Sequence, residues 1–213
     1  ITNHGELTFE SGISKFGNAW SCPLSLLQLS GVMTVGGPFK VRNNLNYRIE
    51  LTGGRLVAIS DVYFENRQPK DGKANPPKYD GWTKFSDGAN LDIEVADGKT
   101  LDLTPFTYDG AATIRKTGAG TLKLADVPTS LSMQGGPVTF AANTRTAMTS
   151  LEIGEGQSFT ITHENMGINE LVAIDGSLTL AAAGLTVNAY TADAVAGAIN
   201  VTKTAFKVGD VLL

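Results

Sequence analysis

The stretch TIRKTGAGTLKLAD, residues 113–126, decides how the rest of the chain is interpreted. Two glycines flank an alanine, and two leucines then alternate with polar residues. A glycine-rich loop beside a lysine can hold a phosphate, but such loops follow G-x-x-x-x-G-K-[ST] or a G-x-G-x-x-G that opens a helix. The stretch matches neither pattern, and a strand-like alternation follows its glycines. We therefore predict that the glycines supply positive φ angles and close backbone packing at a turn.

A glycine followed by alternating apolar residues recurs along the whole chain, as in Gly5-Glu-Leu7-Thr-Phe9. Each copy is a short run of period two bounded by turn residues, which is the signal of a half-buried β-strand. The first apolar positions of the copies are Leu7, Met33, Leu56, Leu101, Leu122, Val138, Phe159, Leu178 and Ile199.

The spacing of these copies indicates a repeat architecture. Leu101 and Leu122 are 21 residues apart and Leu178 follows Phe159 by 19, whereas Leu56 and Leu101 are separated by 45 residues, which equals two units with an insertion. A recurrence of about 20 residues is typical of a solenoid, in which stacked turns bury a shared core. We predict an all-β, right-handed parallel β-helix (β-solenoid) of roughly 20-residue rungs. It would form a single domain over residues 1–213, as a fragment of a longer chain. A β-sandwich also fits regular strand and turn spacing and stays open as an alternative.

One segment interrupts the repeat and is predicted to be an inserted loop at about residues 63–87. It contains three prolines, four lysines and several turn residues. Loops on rigid scaffolds often carry function, and sugars are commonly held by aromatic faces with polar groups at the rim. The candidate ligand-binding residues are Tyr63, Glu65, Tyr79, Asp80 and Trp82. The alternative is that these aromatic residues anchor the loop onto the core.

Carboxylates form the second candidate site. Asp92 and Glu94 alternate with apolar residues and are expected to point outward from one strand, with Asp87 nearby in sequence. Calcium takes six to eight oxygen ligands, so Asp87, Asp92 and Glu94 are candidate metal ligands and calcium is a candidate cofactor. The alternative is a solvated strand whose charges block edge pairing.

Composition excludes some partners. The net charge of −4 gives no basic excess for binding a nucleic acid, and no apolar run reaches the length of a membrane-spanning helix. One cysteine, Cys22, cannot form an intrachain disulfide, and two histidines offer little basis for a hydrolase triad. A charged fraction of 18% suits a secreted protein. We therefore expect a protein without catalytic activity of its own.

Residues 116–124, KTGAGTLKL, resemble the autotransporter-associated β-strand repeat, which has the form K-x-G-x-G-x-L-x-L. The matching positions are Lys116, Gly118, Gly120, Leu122 and Leu124. The final residues FKVGDVLL, 206–213, are also similar to the phrase that closes many passenger regions. The resemblance implies a secreted or bacterial cell-surface protein that serves adhesion, display or spacing, with a glycan or host surface as partner. A carbohydrate-active enzyme of polysaccharide lyase type or its accessory module, and a glycan-binding sandwich, are the alternatives.

Overall fold

The computed structural model describes residues 1–12, 24–28, 30–40, 47–65, 82–142, 147–161, 166–173, 177–180, 185–192, 198–201 and 206–212. Within these ranges the chain forms strands, turns and bends, and none of it is helical. Accordingly, these ranges contain no helix that is long and apolar enough to cross a membrane. The strands are β1 (Thr2–Asn3), β2 (Glu6–Phe9), β3 (Leu24–Gln28), β4 (Val32–Val35), β5 (Tyr47–Ala58), β6 (Val62–Tyr63), β7 (Trp82–Val95), β8 (Thr100–Leu103), β9 (Thr107–Tyr108), β10 (Ala112–Thr117), β11 (Thr121–Leu124), β12 (Ser130–Met133), β13 (Val138–Phe140), β14 (Ala147–Ile153), β15 (Ser158–Ile161), β16 (Met166–Ala173), β17 (Ser177–Leu180), β18 (Leu185–Ala192), β19 (Ala198–Val201) and β20 (Phe206–Leu212).

The strands form three sheets. A large sheet of 13 strands runs in the order β1-β3-β5-β7-β10-β12-β14-β16-β18-β20, with β2, β4 and β9 attached beside this path. A second sheet has the order β13-β11-β8-β6, and a third has the order β15-β17-β19. Each strand pair in the described part of the chain is parallel. The all-β prediction is confirmed, and the parallel pairing differs from the antiparallel sheets of a β-sandwich.

From β10 onward the chain alternates between the large sheet and one of the two shorter sheets. Parallel neighbours need a crossover of a dozen or more residues, and here each crossover contains a short strand of its own. In the second sheet Leu101 is paired with Leu122, and in the third sheet Phe159 is paired with Leu178. These spacings read from the sequence therefore correspond to the register by which the strands pair.

The 45-residue gap between Leu56 and Leu101 does not correspond to a strand pairing between these two leucines. Leu56 is paired with Ile93 of β7 in the large sheet, whereas Leu101 is paired with Val62 of β6 in the second sheet. The two leucines thus belong to different sheets. The alternation of apolar and polar residues could not show which repeat positions belong to which sheet, because both sheets turn one apolar face toward the same core.

The ends of the segment predicted as a loop at 63–87 are strands. Tyr63 ends β6, and Trp82 begins β7, which continues through Phe85 to Val95. Residues 66–81, including Tyr79 and Asp80, lie outside the described residues. Phe85 is fully buried, so its ring belongs to the core and not to a loop. Apolar side chains at alternate positions of β7 are drawn into the core, which accounts for the strand that begins at Trp82.

Aromatic side chains cross the core from one strand to the next. Each ring contacts the next with centroids 4.6–5.5 Å apart, in stacked, tilted or edge-on geometry. Such pairs contribute about 0.5–1.5 kcal/mol each beyond the area that they bury. The series is Phe9, Phe39, Phe64, Phe106, Phe85 and Tyr108. Phe39 and Phe64, which are also joined by an isolated parallel backbone bridge, are thereby connected to Phe85 of the large sheet.

Candidate functional site

Lys116 is the central residue of the turn that resembles the surface-protein repeat. It occupies an inward position of β10, between Ile93 on one neighbouring strand and Met133 on the other. Its side chain is 0% exposed. The Nζ atom donates hydrogen bonds to the carbonyl oxygens of Thr117 at 2.8 Å, Gly118 at 2.7 Å and Gly135 at 2.7 Å. All three donor positions of the ammonium are therefore used within the protein.

Burial shifts the titration of this ammonium. Removal from water lowers the pKa of Lys116 to about 8, and the negative charge of Glu94 opposes part of that shift. A buried cation is tolerated because its three hydrogen bonds replace the lost water. With no donor left for a ligand, Lys116 holds the turn together and does not serve as a phosphate-binding lysine.

The glycines of the motif have two distinct roles. Gly118 has a φ of 74°, which side chains rarely adopt, and a Cβ there would lie 2.3 Å from the carbonyl oxygen of Val95. Gly120 is needed for space, since a Cβ there would lie 2.2 Å from the carbonyl oxygen of Ala96. Leu122 and Leu124 then point inward and are fully buried. Each position of the motif thus has a structural function in joining β10 to β11.

The burial of Lys116 is the feature that the sequence interpretation missed. Ala112, Ile114 and Lys116 alternate along β10, and the two apolar residues are buried. This parity was a usable signal, because residues two apart on a strand share a face. Lysine is almost never fully buried without partners. The composition gave no hint of the carbonyl cage, by which we mean the carbonyl oxygens of Thr117, Gly118 and Gly135 around Lys116 Nζ.

Side-chain amides hold an earlier turn in a similar manner. Asn3 and Gln28 are buried, paired in register, and joined by a 2.7 Å hydrogen bond from Asn3 Nδ2 to Gln28 Oε1. Gln28 Nε2 donates to the carbonyl oxygen of Ser30 at 3.0 Å. Buried polar groups require such partners. Polar side chains that satisfy turn carbonyls are therefore a recurring structural feature of this chain.

The three candidate metal ligands lie along β7, where Asp92 and Glu94 contact side chains of neighbouring strands and Asp87 contacts the backbone just before β10. Glu94 forms an ion pair with Arg55, and Asp92 lies 3.9 Å from Arg115. Asp87 accepts a 2.9 Å hydrogen bond from the backbone N–H of Ala111. In the described part of the chain, no group of three or more acidic, histidine or cysteine side chains could hold a metal ion. The arrangement is a set of cross-strand pairs on the outer face of the large sheet.

Asp92 and Arg115 belong to a row of polar residues that crosses the large sheet. Arg55 is paired in register with Asp92, Asp92 with Arg115, and Arg115 with Ser132. Ser132 Oγ then donates a 2.6 Å hydrogen bond to Glu152, the next residue of the row. Opposite charges on adjacent strands favour this register, by about 0.2–1 kcal/mol for each pair.

The candidate sugar-binding residues that the structure describes lie on different sheets. Tyr63, 40% exposed, is on β6 of the second sheet and has Lys40 Nζ 6.0 Å from its ring centroid. Trp82 begins β7 of the large sheet and is half-buried, with Lys84 Nζ 4.7 Å from its ring centroid. Glu65 is half-buried, and its backbone N–H donates to the carbonyl oxygen of Phe39 at 2.9 Å. Of the candidate sugar-binding residues, Tyr63 and Trp82 are the aromatic ones that the structure describes.

A cleft that the sequence did not indicate lies between β13 and β15. It has a volume of about 710 Å³ and is lined by residues 136–142 and 156–159. Phe140 is half-buried and Phe159 is buried, with ring centroids 5.7 Å apart at 67°. Both phenylalanines fit the apolar repeat. The repeat therefore gives no sign that the second sheet ends at β13 and that the third begins at β15.

Comparison with known proteins gives no relative: no family model, curated protein or solved structure matches this chain. The strand register, the buried lysine turn and the cleft are therefore the observations from which function is inferred.

Proposed function

We propose that the chain forms a right-handed parallel β-solenoid with rungs of about 20 residues. The proposal is supported by the parallel register and by the alternation between the large sheet and a shorter one. Parallel strands joined by crossovers in one sheet are almost always connected with a right-handed turn, which gives the hand. Parallel strands lie about 4.8 Å apart, so each rung would add that length to the molecule.

The function that this architecture supports best is a non-catalytic one: adhesion, display or spacing at a bacterial surface or in a secreted protein. Solenoids are quasi-one-dimensional, since each rung contacts its neighbours, and they make rigid supports. The observation that carries the proposal is the turn of residues 116–124, where each position of the surface-protein repeat has a structural role. This turn supports the likeness to autotransporter passenger regions.

Recognition would come from the residues around the segment that follows β6. Tyr63 presents an exposed ring, and Trp82 presents part of another where the described chain resumes. Aromatic faces with polar neighbours suit a glycan, so a glycan or a glycosylated host surface is the proposed partner. An enzyme of polysaccharide lyase type is less well supported, because Asp92 and Glu94 lie against arginines.

Affinity electrophoresis tests this function. The purified chain and Trp82→Ala are run through gels cast with a panel of polysaccharides and mucin, with and without calcium. We expect retardation that is lost in Trp82→Ala and retained in Ile59→Ala, a matched variant at another exposed apolar side chain. If none of the polymers retards the wild-type chain, spacing would be left as the role of the protein.

Incubation of the same polymers with the protein tests the absence of catalysis. We expect no new reducing ends and no unsaturated sugars. Product release that disappears in Asp92→Asn or Glu94→Gln would contradict the non-catalytic proposal and support the lyase alternative.

A further inference from the structure

The cleft lies where the stacking of short strands is interrupted. The large sheet is continuous through β12, β14 and β16, but the second sheet ends at β13 and the third begins at β15. Val138 and Phe159 are 21 residues apart, one repeat, yet no pairing joins their strands in the described structure. The cleft of about 710 Å³ opens at this break. Its volume falls within the range of about 300–1,000 Å³ that is typical of small-molecule sites.

The walls of the cleft combine aromatic and neutral polar groups. Phe140, which is half-buried, supplies ring surface and packs against the buried Phe159, while Thr139, Gln157 and Ser158 supply hydroxyl and amide groups. Among the described residues that line the cleft, none carries a charge. A charged ligand would lose water without gaining an ionic partner, which is unfavourable.

We propose that this cleft binds a neutral saccharide. A sugar offers C–H surface for the Phe140 ring and hydroxyl groups that both donate and accept hydrogen bonds. The hydroxyl groups of Thr139 and Ser158 and the amide of Gln157 match that capacity, since each can donate and accept. The two strand edges that border the cleft add backbone N–H and C=O groups as further partners.

This site is separate from the proposed glycan contact near Trp82. Trp82 begins β7 in the large sheet, whereas the cleft lies between the ends of the second and third sheets. The two proposals can therefore fail independently, and variants at one site serve as controls for the other.

The test uses the purified chain in native gels that contain dextran, laminarin or galactomannan as neutral polymers, or polygalacturonate or heparin as anionic ones. Ser158→Arg places a large charged side chain at an exposed position of the cleft wall. Phe140→Leu removes a ring but keeps an apolar side chain. Gln157→Ala removes one hydrogen-bonding amide and should raise the dissociation constant about fivefold.

We expect at least one neutral polymer to retard the wild-type chain and Ile59→Ala. Ser158→Arg and Phe140→Leu should abolish that retardation while their circular dichroism spectra match the wild type. In a Trp82→Ala background, which removes the other proposed glycan contact, the proposal is overturned if no neutral polymer causes retardation, if only anionic polymers do, or if retardation survives in a folded Ser158→Arg. Retardation that is lost in Trp82→Ala but kept in Ser158→Arg would place sugar binding near β7 and also overturn the cleft proposal.

Discussion

Lys116 Nζ donates a 2.7 Å hydrogen bond to the carbonyl oxygen of Gly135, a residue 19 positions further along the chain. The bond joins the turn after β10 to the turn after β12, which is the next strand of the large sheet. Because the same ammonium also binds two carbonyls of its own turn, it ties two successive repeats together. Within the motif of residues 116–124, Lys116 is thus the residue whose hydrogen bonds connect two adjacent turns.

Replacing this lysine by an apolar residue of similar length should destabilise the protein. Lys116→Met relieves the burial of a charge but leaves three carbonyl oxygens without their donor. Unsatisfied buried polar groups cost about 1–3 kcal/mol each, so we expect the free energy of unfolding to fall by about 2 kcal/mol overall. Urea denaturation measures this difference.

Lys123→Met is the matched control, because Lys123 is exposed on β11 and its loss should change stability by less than about 0.5 kcal/mol. Equal stability of Lys116→Met and the wild type would show that the carbonyl cage contributes nothing to the fold.

Stability should depend on pH through Lys116 in the alkaline range. The pKa of Lys116 is about 8 in the folded protein, below its value of 10.5 in the unfolded chain. Between these two values the unfolded state binds more protons, so this group makes the free energy of unfolding rise with pH. Below pH 8 both states are protonated, and the contribution is constant.

The quantity to measure is the difference in unfolding free energy between wild type and Lys116→Met from pH 7 to pH 11. We expect this difference to grow from about pH 8 upward, by about 1 kcal/mol per pH unit, and to level off above the unfolded value. A difference that stays flat through this window would mean that Lys116 titrates like an exposed lysine.

Gly118→Ala should be more damaging than alanine at a glycine with similar backbone geometry. Gly118 and Gly98 have φ angles of 74° and 65°, so both substitutions carry the left-handed penalty of about 1–2 kcal/mol. A Cβ at Gly98 meets nothing within 4 Å, whereas one at Gly118 lies 2.3 Å from the carbonyl oxygen of Val95. Thermal unfolding should show a clearly larger loss for Gly118→Ala, and equal losses would contradict the close packing of adjacent turns.

The outer polar row predicts a small effect that depends on salt. Arg115 lies 3.9 Å from Asp92 with both side chains more than half exposed, so Arg115→Glu places two like charges together. We expect a loss of about 0.5–1 kcal/mol in unfolding free energy at low ionic strength, which shrinks in 1 M salt. Arg115→Gln should lose less at low salt and change little with salt. A loss in Arg115→Glu that does not respond to salt would rule out an electrostatic origin.

Much of the strand register was visible in the sequence, because alternation and spacing report which apolar residues share a face. Leu7 with Met33, Met33 with Leu56, and Leu101 with Leu122 are in-register pairs as the spacing indicated. The sequence did not show that Leu56 belongs to the large sheet and Leu101 to the second sheet, because both sheets bury the same residue types. The long β7 was also missed, since prolines and lysines ahead of Trp82 masked its start.

The candidate sites were less predictable than the fold. Asp92 and Glu94 do point outward as their alternation indicated. Their arginine partners are distant in sequence, however: Arg115 is 23 residues from Asp92, and Arg55 is 39 residues from Glu94. The cleft depends on a missing strand pairing between β13 and β15, and single-sequence periodicity carries no information on which neighbours fail to pair.

Engineered disulfides test the stacked parallel register most directly. In a Cys22→Ser background, Lys123→Cys with Thr139→Cys joins two exposed, in-register positions of the second sheet, and Thr113→Cys with Ser130→Cys joins an exposed and a half-buried in-register position of the large sheet. Neighbouring strands lie about 4.8 Å apart, within the Cα separation that a disulfide spans.

The measurement is the fraction of each double variant that forms an intramolecular disulfide under mild oxidation, with Lys123→Cys plus Ser132→Cys as the unpaired control. The stacked register predicts rapid and nearly complete crosslinking of both in-register pairs in the folded protein and little in the control. Crosslinking of the control pair at the same rate, or none in either in-register pair, would contradict the parallel repeat on which the account depends.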